Sequence, residues 1–194
     1  RLLESADRPL SPSGLRVARR GMKLAAERDL PLVSIIDTAG AALSKEAEEG
    51  GLAGEIARCL AELVAHEPPT LCVLLGQGTG GGAIALMPAD RVVAAQHSWL
   101  SPLPPEGASA ILHRNTTHAP ELAAQQRVRA LDLLADGIID RIVAEHPDAA
   151  DEPQEFCRRM AQVIAFELSS LSGMRTASRL AARHDRYRRI GLRG

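Results

Sequence analysis

Aromatic residues are nearly missing from this chain of 194 residues: they make up 2%, with single Trp99 and Tyr187, so its core has to be aliphatic. A chain so poor in stacking platforms is not built for single-stranded nucleic acid. Charge of one sign is lacking too; the net charge is −1, which implies no polyanionic partner. No apolar run approaches the ~18 residues of a membrane span, and no signal-peptide pattern appears. The three cysteines, Cys59, Cys72 and Cys157, form no C-x-x-C and sit within apolar patterns. Buried reduced thiols are expected, which points to the cytoplasm. The six histidines show no H-x-x-x-H or H-E-x-x-H spacing, so no helical zinc site is expected; His97, near a strand end, is the one to watch. No Ser-His-Asp arrangement or paired-carboxylate motif is evident. The first residue is Arg1 rather than Met, so an upstream portion is expected.

What the chain does have is 45% hydrophobic residues, enough for one sizeable core, and glycine in a telling place. The run Gly76-Gln77-Gly78-Thr79-Gly80-Gly81-Gly82-Ala83 follows the apolar stretch Leu71–Leu75 and precedes a short apolar helix candidate, Ala83 to Met87, closed by Pro88. Glycines between a strand and a helix allow close backbone approach and leave amides free for a negative group. That group could be a phosphate, a carboxylate or a transient oxyanion. Gly76, Gly78 and Gly81 formally match G-x-G-x-x-G. A dinucleotide fold, however, needs a full helix next and then a strand ending in a carboxylate. Here Pro88 stops the helix, and the next strand, Arg91 to Ala95, runs into Gln96 and His97. The absence of Gly-Lys-Ser/Thr excludes a P-loop. A plain turn remains open. A second loop of similar type, Asp37-Thr38-Ala39-Gly40-Ala41 after the strand candidate Leu32–Ile36, favours an oxyanion site. For Gly40 an ordinary turn stays open as well.

Along the chain, residues 1–12 read as a tail or linker broken by Pro9 and Pro12, and residues 13–194 as one domain. Ser13 is the expected N-cap of a helix from Gly14 to Arg28, with Leu15, Ala18, Met22 and Ala25 on one face. A helix from Leu52 to Ala65 is expected to turn Ile56, Leu60 and Leu63 inward and Glu55 and Arg58 outward. The proline-rich stretch Ser101 to Gly107 predicts a stiff loop before a short helix at Ala108 to His113. Further helices are expected over 121–135, 152–170 and 175–189, with a strand over 138–143. The stripe Arg175, Arg179, Arg183 is expected on a solvated face, with ligand phosphates or an acidic partner surface as the alternative. Short, continuously apolar strands alternating with helices predict an α/β fold with a sheet buried on both faces.

Several runs, in order, resemble the carboxyltransferase alpha subunit of bacterial acetyl-CoA carboxylase, and more broadly the C-terminal half of biotin-dependent acyl-CoA carboxyltransferases. Gly14 to Ala25 is similar to that family's first helix. Asp37-Thr38-Ala39-Gly40-Ala41 resembles its Asp-Thr-Pro-Gly-Ala loop, with Ala39 in place of proline. Ala47-Glu48-Glu49 and Glu55-Ile56-Ala57-Arg58 resemble its next elements. Gly76 to Ala83 resembles Gly-Glu-Gly-Gly-Ser-Gly-Gly-Ala, Pro105 to Leu112 resembles Pro-Glu-Gly-Cys-Ala-Ser-Ile-Leu, and Arg186-Tyr187-Arg188-Arg189 resembles its terminal segment. Gln77 stands where the family has an acidic residue. The segment Ala42 to Lys45 lacks the family's tyrosine and glycines.

The resemblance implies a crotonase-like spiral of ββα units. It implies transfer of a carboxyl group from carboxybiotin, on a carrier protein, to acetyl-CoA, giving malonyl-CoA for fatty-acid synthesis. In that family CO2 leaves carboxybiotin, amides of this half hold the biotin anion, the biotin nitrogen takes the α-proton, and the enolate attacks CO2 held by the other half. Gly40, Ala41, Gly81, Gly82 and Ala83 match the segments that supply or support the oxyanion site. Trp99, Ser101 and the rigid proline stretch are expected to shape the biotin-side wall, and Glu106 and Gly107 are expected among the substrate-binding residues, although Glu106 also suits a helix N-terminus as a dipole partner. The resemblance further implies a beta-type half, separate or fused, which would carry the family's zinc ribbon; an oligomer; and no metal on this chain. A crotonase-type hydratase or isomerase, which would need placed carboxylates, and a non-catalytic scaffold are the competing functions.

Overall fold

The computed structural model describes residues 9–190. The first helix, α1 (Pro12–Glu27), starts two residues before the expected Gly14. Ser11, not Ser13, is the N-cap, its Oγ accepting from Gly14 N at 3.2 Å, and Pro12 occupies the first turn. Proline suits that turn because its fixed φ is already helical and its missing N–H would have gone unpaired. Leu15, Met22 and Ala25 form the buried stripe. Strand β1 (Leu32–Thr38) follows, then α2 (Lys45–Glu49), capped by Ser44, and α3 (Leu52–Val64). Strand β2 runs from Thr70 to Thr79, and α4 (Gly80–Ile84) begins directly after it. The glycine run is therefore half strand and half helix rather than loop, and the helix opens three residues before the expected Ala83.

Strands β3 (Arg91–Ala95) and β4 (Trp99–Ser101) come next, followed by helices α5 (Pro105–His113), α6 (Ala119–Gln125) and α7 (Ala130–Ala135). The single helix expected over 121–135 is broken at Arg127, whose φ of 54° has no place in a right-handed helix. Strand β5 (Arg141–Val143) and the long helices α8 (Pro153–Ser172) and α9 (Thr176–Arg189) complete the chain. Among the described residues no helix is long and apolar enough to cross a membrane.

All strand pairs are parallel, in the order β1-β2-β3-β5, with β4 attached to β2. Parallel neighbours require crossovers, and the helices between the strands supply them. β2 changes partner along its length: Leu71 to Leu74 pair with β3, whereas Gln77 to Thr79 pair with β4. Leu71 and Val73 point into a layer completed by Val93, Phe156 and Met160, while Cys72 and Leu74 point into one completed by Ala83, Ala130 and Leu133. The sheet is thus covered on both faces, as its continuously apolar strands predict. A third cluster, Leu15, Met22, Cys59 and Leu63, glues α1 to α3.

Three expectations about charge and thiols are corrected. Glu55 is buried, not outward: it accepts from Arg16 Nε at 3.1 Å, Arg19 Nη1 at 2.9 Å and Arg58 Nη1 at 3.0 Å. These guanidiniums, Arg19 first, hold its carboxyl below the usual range. Cys59 and Cys72 are buried, and burial pushes the Cys59 thiol up to about 11, but Cys157 is exposed. The arginine stripe on α9 is not a solvated face, because Arg179 and Arg183 are buried. Arg183 donates to both carboxylate oxygens of Asp90, at 2.9 and 2.8 Å. Its Nη1 also caps the end of α3 through the carbonyls of Leu63, Val64 and His66. Such carbonyls have no partner inside their own helix. Asp90 in turn accepts from Thr70 N at 2.8 Å and also faces Arg179 Nε at 3.4 Å, so the N-terminal end of the sheet is clamped by buried ion pairs centred on Asp90.

Candidate active site

The C-terminal ends of β1 and β2 meet at a cluster of backbone. Gly40 is buried with a φ of 119°, a conformation that disfavours any side chain. Thr38 fixes it twice over: its Oγ1 accepts from Gly40 N at 3.1 Å and lies 3.2 Å from Gly40 O. The Gly40 amide is thereby engaged, whereas the Ala41 amide has no hydrogen-bond partner among the described residues. Leu10 runs alongside, its N donating to Gly40 O at 2.8 Å and its O accepting from Ala42 N at 3.0 Å. The loop is therefore held from both sides.

Gly82 packs straight onto this loop. A Cβ there would stand 3.0 Å from Ala41 N and 3.1 Å from Gly40 C, so only glycine allows the two backbones to touch. Gly81 is exposed, with Ile56 on one flank, and Ala83 is fully buried in the core beneath. The first amides of α4, including those of Gly81 and Gly82, precede the first intrahelical bond. Gly78 is also closely packed: a Cβ would stand 2.9 Å from the Leu100 and Leu74 side-chain ends, which would have to shift.

The remaining expected residues divide into two groups. Trp99 and Ser101 lie on β4 beside Gln77 and Thr79, so they share this end of the sheet. The carbonyl of Pro102, just beyond, would stand 3.3 Å from a Cβ on Gly80. Ser101 is buried and its hydroxyl is used internally, donating to Leu103 O and lying 3.2 Å from Gln126 Oε1. It shapes the wall and offers no spare donor. Glu106 and Gly107 sit in the first turn of α5, with Glu106 exposed.

Three contributors were not singled out from the sequence. Thr38 organises Gly40. Asp37 Oδ1 accepts from Gln77 N at 3.0 Å and ties β1 to β2 where the register shifts. Thr79 is buried between the two loops, and its Oγ1 lacks a partner. An Asp-Thr pair at a strand end is itself a signal for such turns, because both side chains bond nearby backbone. Exposed apolar side chains occur in the elements around this end: Leu43, Ile84 and Leu103, with Leu43 95% exposed.

Comparison with known proteins adds independent findings. Residues 9–191 match the family described as acetyl co-enzyme A carboxylase carboxyltransferase-like. The probable biotin-dependent acyl-coenzyme A carboxylase beta3 subunit of Mycobacterium tuberculosis is 62% identical over 183 residues, covering 94% of this chain and 37% of that protein. The acetyl-coenzyme A carboxylase carboxyl transferase subunit alpha of Xanthobacter autotrophicus is 40% identical over 181 residues, covering 93% and 57% respectively. The chain thus spans between about a third and somewhat over half of these relatives. In fold it is similar to transcarboxylase 12S, with a TM-score of 0.72 at 20% identity over 86% of this chain and 31% of that one. It is also similar to a chain of a Pseudomonas malonate decarboxylase hetero-tetramer, with a TM-score of 0.71 at 18% identity over 95% and 75%. The crotonase-like α/β fold expected from the sequence is the fold observed.

Proposed function

The chain belongs to the acetyl co-enzyme A carboxylase carboxyltransferase-like family, and from that premise we propose that it forms the biotin-side half of a carboxyltransferase active site. The reaction moves a carboxyl group from carboxybiotin, presented by a carrier protein, to the α-carbon of an acyl-CoA. The observation that carries this reading is the seating of Gly82 on the Gly40–Ala41 peptide, where a Cβ would lie 3.0 Å from Ala41 N. When bound, carboxybiotin supplies an activated carboxyl group whose release leaves negative charge on the ureido oxygen. The chain's part is to offer fixed donors to that charge: the uncommitted Ala41 amide and the first-turn amides of α4. Donors that need no reorganisation as charge develops are the strongest single contribution a protein makes to such a step. Gly40, Thr38 and Leu10 hold the loop, and Trp99 and Ser101 wall the cradle. Glu106 and Gly107 would act from the rim.

Acetyl-CoA is the carboxyl acceptor favoured by the alpha-subunit relatives, with malonyl-CoA for fatty-acid synthesis as product. The 62% identical relative carries only the broader acyl-coenzyme A name. A beta-type half, fused or separate, would bind the acyl-CoA and complete an oligomeric enzyme. The exposed side chains of Leu43, Ile84 and Leu103 suit such a cover. Residues 13–194 act as one unit in this reading, and the reduced thiols of Cys59 and Cys72 suit the cytoplasm.

The test is decarboxylation of malonyl-CoA with free biotin as acceptor, run on the chain alone and with its beta-type half. Biotin-dependent turnover only in the joint sample is the expected result. A well-folded joint complex with no turnover on any short acyl-CoA would overturn the catalytic reading.

A further inference from the structure

Away from the glycine cluster, the loops after β3 and β5 bring together an imidazole and two carboxylates. His97 Nδ1 lies 3.3 Å from Glu145 Oε2 and 3.8 Å from Asp148 Oδ2, and the three candidate ligand atoms all fall within 4.8 Å of one another. From this geometry we propose that His97, Glu145 and Asp148 form a binding site for a divalent transition-metal cation, Zn2+ in preference to Mn2+ and Mg2+.

Both carboxylates are oriented by backbone. Glu145 is buried; its Oε1 accepts from His97 N at 3.0 Å and its Oε2 from Ala149 N at 2.9 Å. Asp148 Oδ1 accepts from Ala150 N at 2.8 Å, which leaves Oδ2 for a ligand. Bonds of this kind fix ligand orientation ahead of the metal and raise affinity. The loops are joined besides by Gln96 N to Val143 O at 3.0 Å and Glu145 N to Gln96 Oε1 at 3.2 Å. Arg159, on the neighbouring α8, spends its donors on Ala144 O and Glu152 and makes no hydrogen bond to Glu145. On a tetrahedral zinc the ligand atoms stand about 3.4 Å apart. His97 and Glu145 already meet that spacing, and the side chain of Asp148, 56% exposed, can close the remainder. The half-exposed imidazole leaves an entry path and an open coordination position for water. One imidazole with two carboxylates suits zinc, and the general affinity order then places manganese below it. Helical zinc spacing could not reveal this site, because its ligands come from two separate crossings of the sheet.

The proposal is independent of the carboxyltransferase reading, and its test needs no turnover. The exposed thiol of Cys157 would itself take zinc, so titrations use a Cys157→Ser background. Calorimetry with ZnCl2 on protein dialysed against chelator should show one saturable site, weakened about tenfold or more by His97→Ala and by Asp148→Ala. His118→Ala, which removes another surface histidine beside a carboxylate, should leave affinity unchanged. Glu145 is left intact because it holds two backbone amides. MnCl2 should broaden the amide signals of His97 and Ala149 before others in the NMR spectrum. No saturable zinc binding, equal affinity in His97→Ala with its fold intact, or manganese broadening centred elsewhere would each overturn the site.

Discussion

The two ends of the parallel sheet are built from opposite materials. At the N-terminal end, Asp90, Arg179 and Arg183 lock strands to helices with buried charge, and Tyr187 Oη accepts from Ala89 N at 3.0 Å. At the C-terminal end, Gly40 and Gly82 remove side chains altogether so that backbone meets backbone. One end holds by charge pairing in a dry interior, the other by the absence of atoms. The lesson is that the buried clamp and the candidate site are placed apart here, and substitutions should sort accordingly.

The largest effect is expected from breaking the clamp. Asp90→Ala leaves the fully buried Arg183 guanidinium without its anion, which should cost about 3–5 kcal/mol of unfolding free energy in urea titrations. A loss below about 1 kcal/mol would mean that the carbonyls of Leu63, Val64 and His66 hold the arginine unaided. Next comes Gly82→Val. Its side chain must displace the Gly40–Ala41 peptide, at a cost of about 1–3 kcal/mol from overpacking. Carboxyl transfer should fall about a hundredfold or more as the donors separate. Wild-type transfer in this variant would remove the site from the cluster.

A smaller effect is expected from pH. Burial, and then the Arg183 charge, lower the pKa of His66 below its usual value. The unfolded chain therefore takes up a proton first as pH falls through about 6.5, and stability should decline from there toward the lower folded value. Denaturant melts at pH 7.5 and 5.5 would show this decline in the wild type and a flatter profile in His66→Gln. An unchanged slope in that variant would assign the decline to other groups. The smallest effect on the isolated chain belongs to Leu43→Ser. Its side chain is almost wholly exposed, so stability should stay within about 0.5 kcal/mol. Association with a beta-type half should nevertheless weaken, as measured by sedimentation; undiminished association would place the partner elsewhere.

The sequence made the site end more legible than the clamp end. Glycine spacing after an apolar strand pointed to Gly40 and Gly82 because those positions tolerate nothing else. The strand Arg91–Ala95 was legible to the residue, since its apolar run is bounded by Asp90 and Gln96. The strand character of Gly76 to Thr79 was not legible, because glycine disfavours strands and the pairing with β4 and, at Gly78, with β1 overrides that preference. β4 itself has three residues, too few for any periodicity. Arg179 and Arg183 look like a solvated face because helical spacing reports which residues share a side, not what that side meets. Their burial depends on Asp90, about ninety positions away in the chain, and on the end of α3. Glu55 was misjudged for the same reason, its partners Arg16 and Arg19 lying on another helix.

Strand β2 begins at Thr70, bonded to Asp90, and ends at Thr79, wedged against Gly40. Nine steps of a parallel strand span about 30 Å. The same ten residues thus act as a ruler between the clamp and the cradle, graduated by β3 over one half and by β4 over the other. A ruler of this kind tolerates changes of letter far better than changes of count. One residue added or lost between Leu75 and Gly76 would turn Gly78 and Thr79 to the wrong faces and part them from both neighbours at once. The length of β2 is therefore the least negotiable quantity in the chain, and natural variation in this family should spare it even where the letters drift.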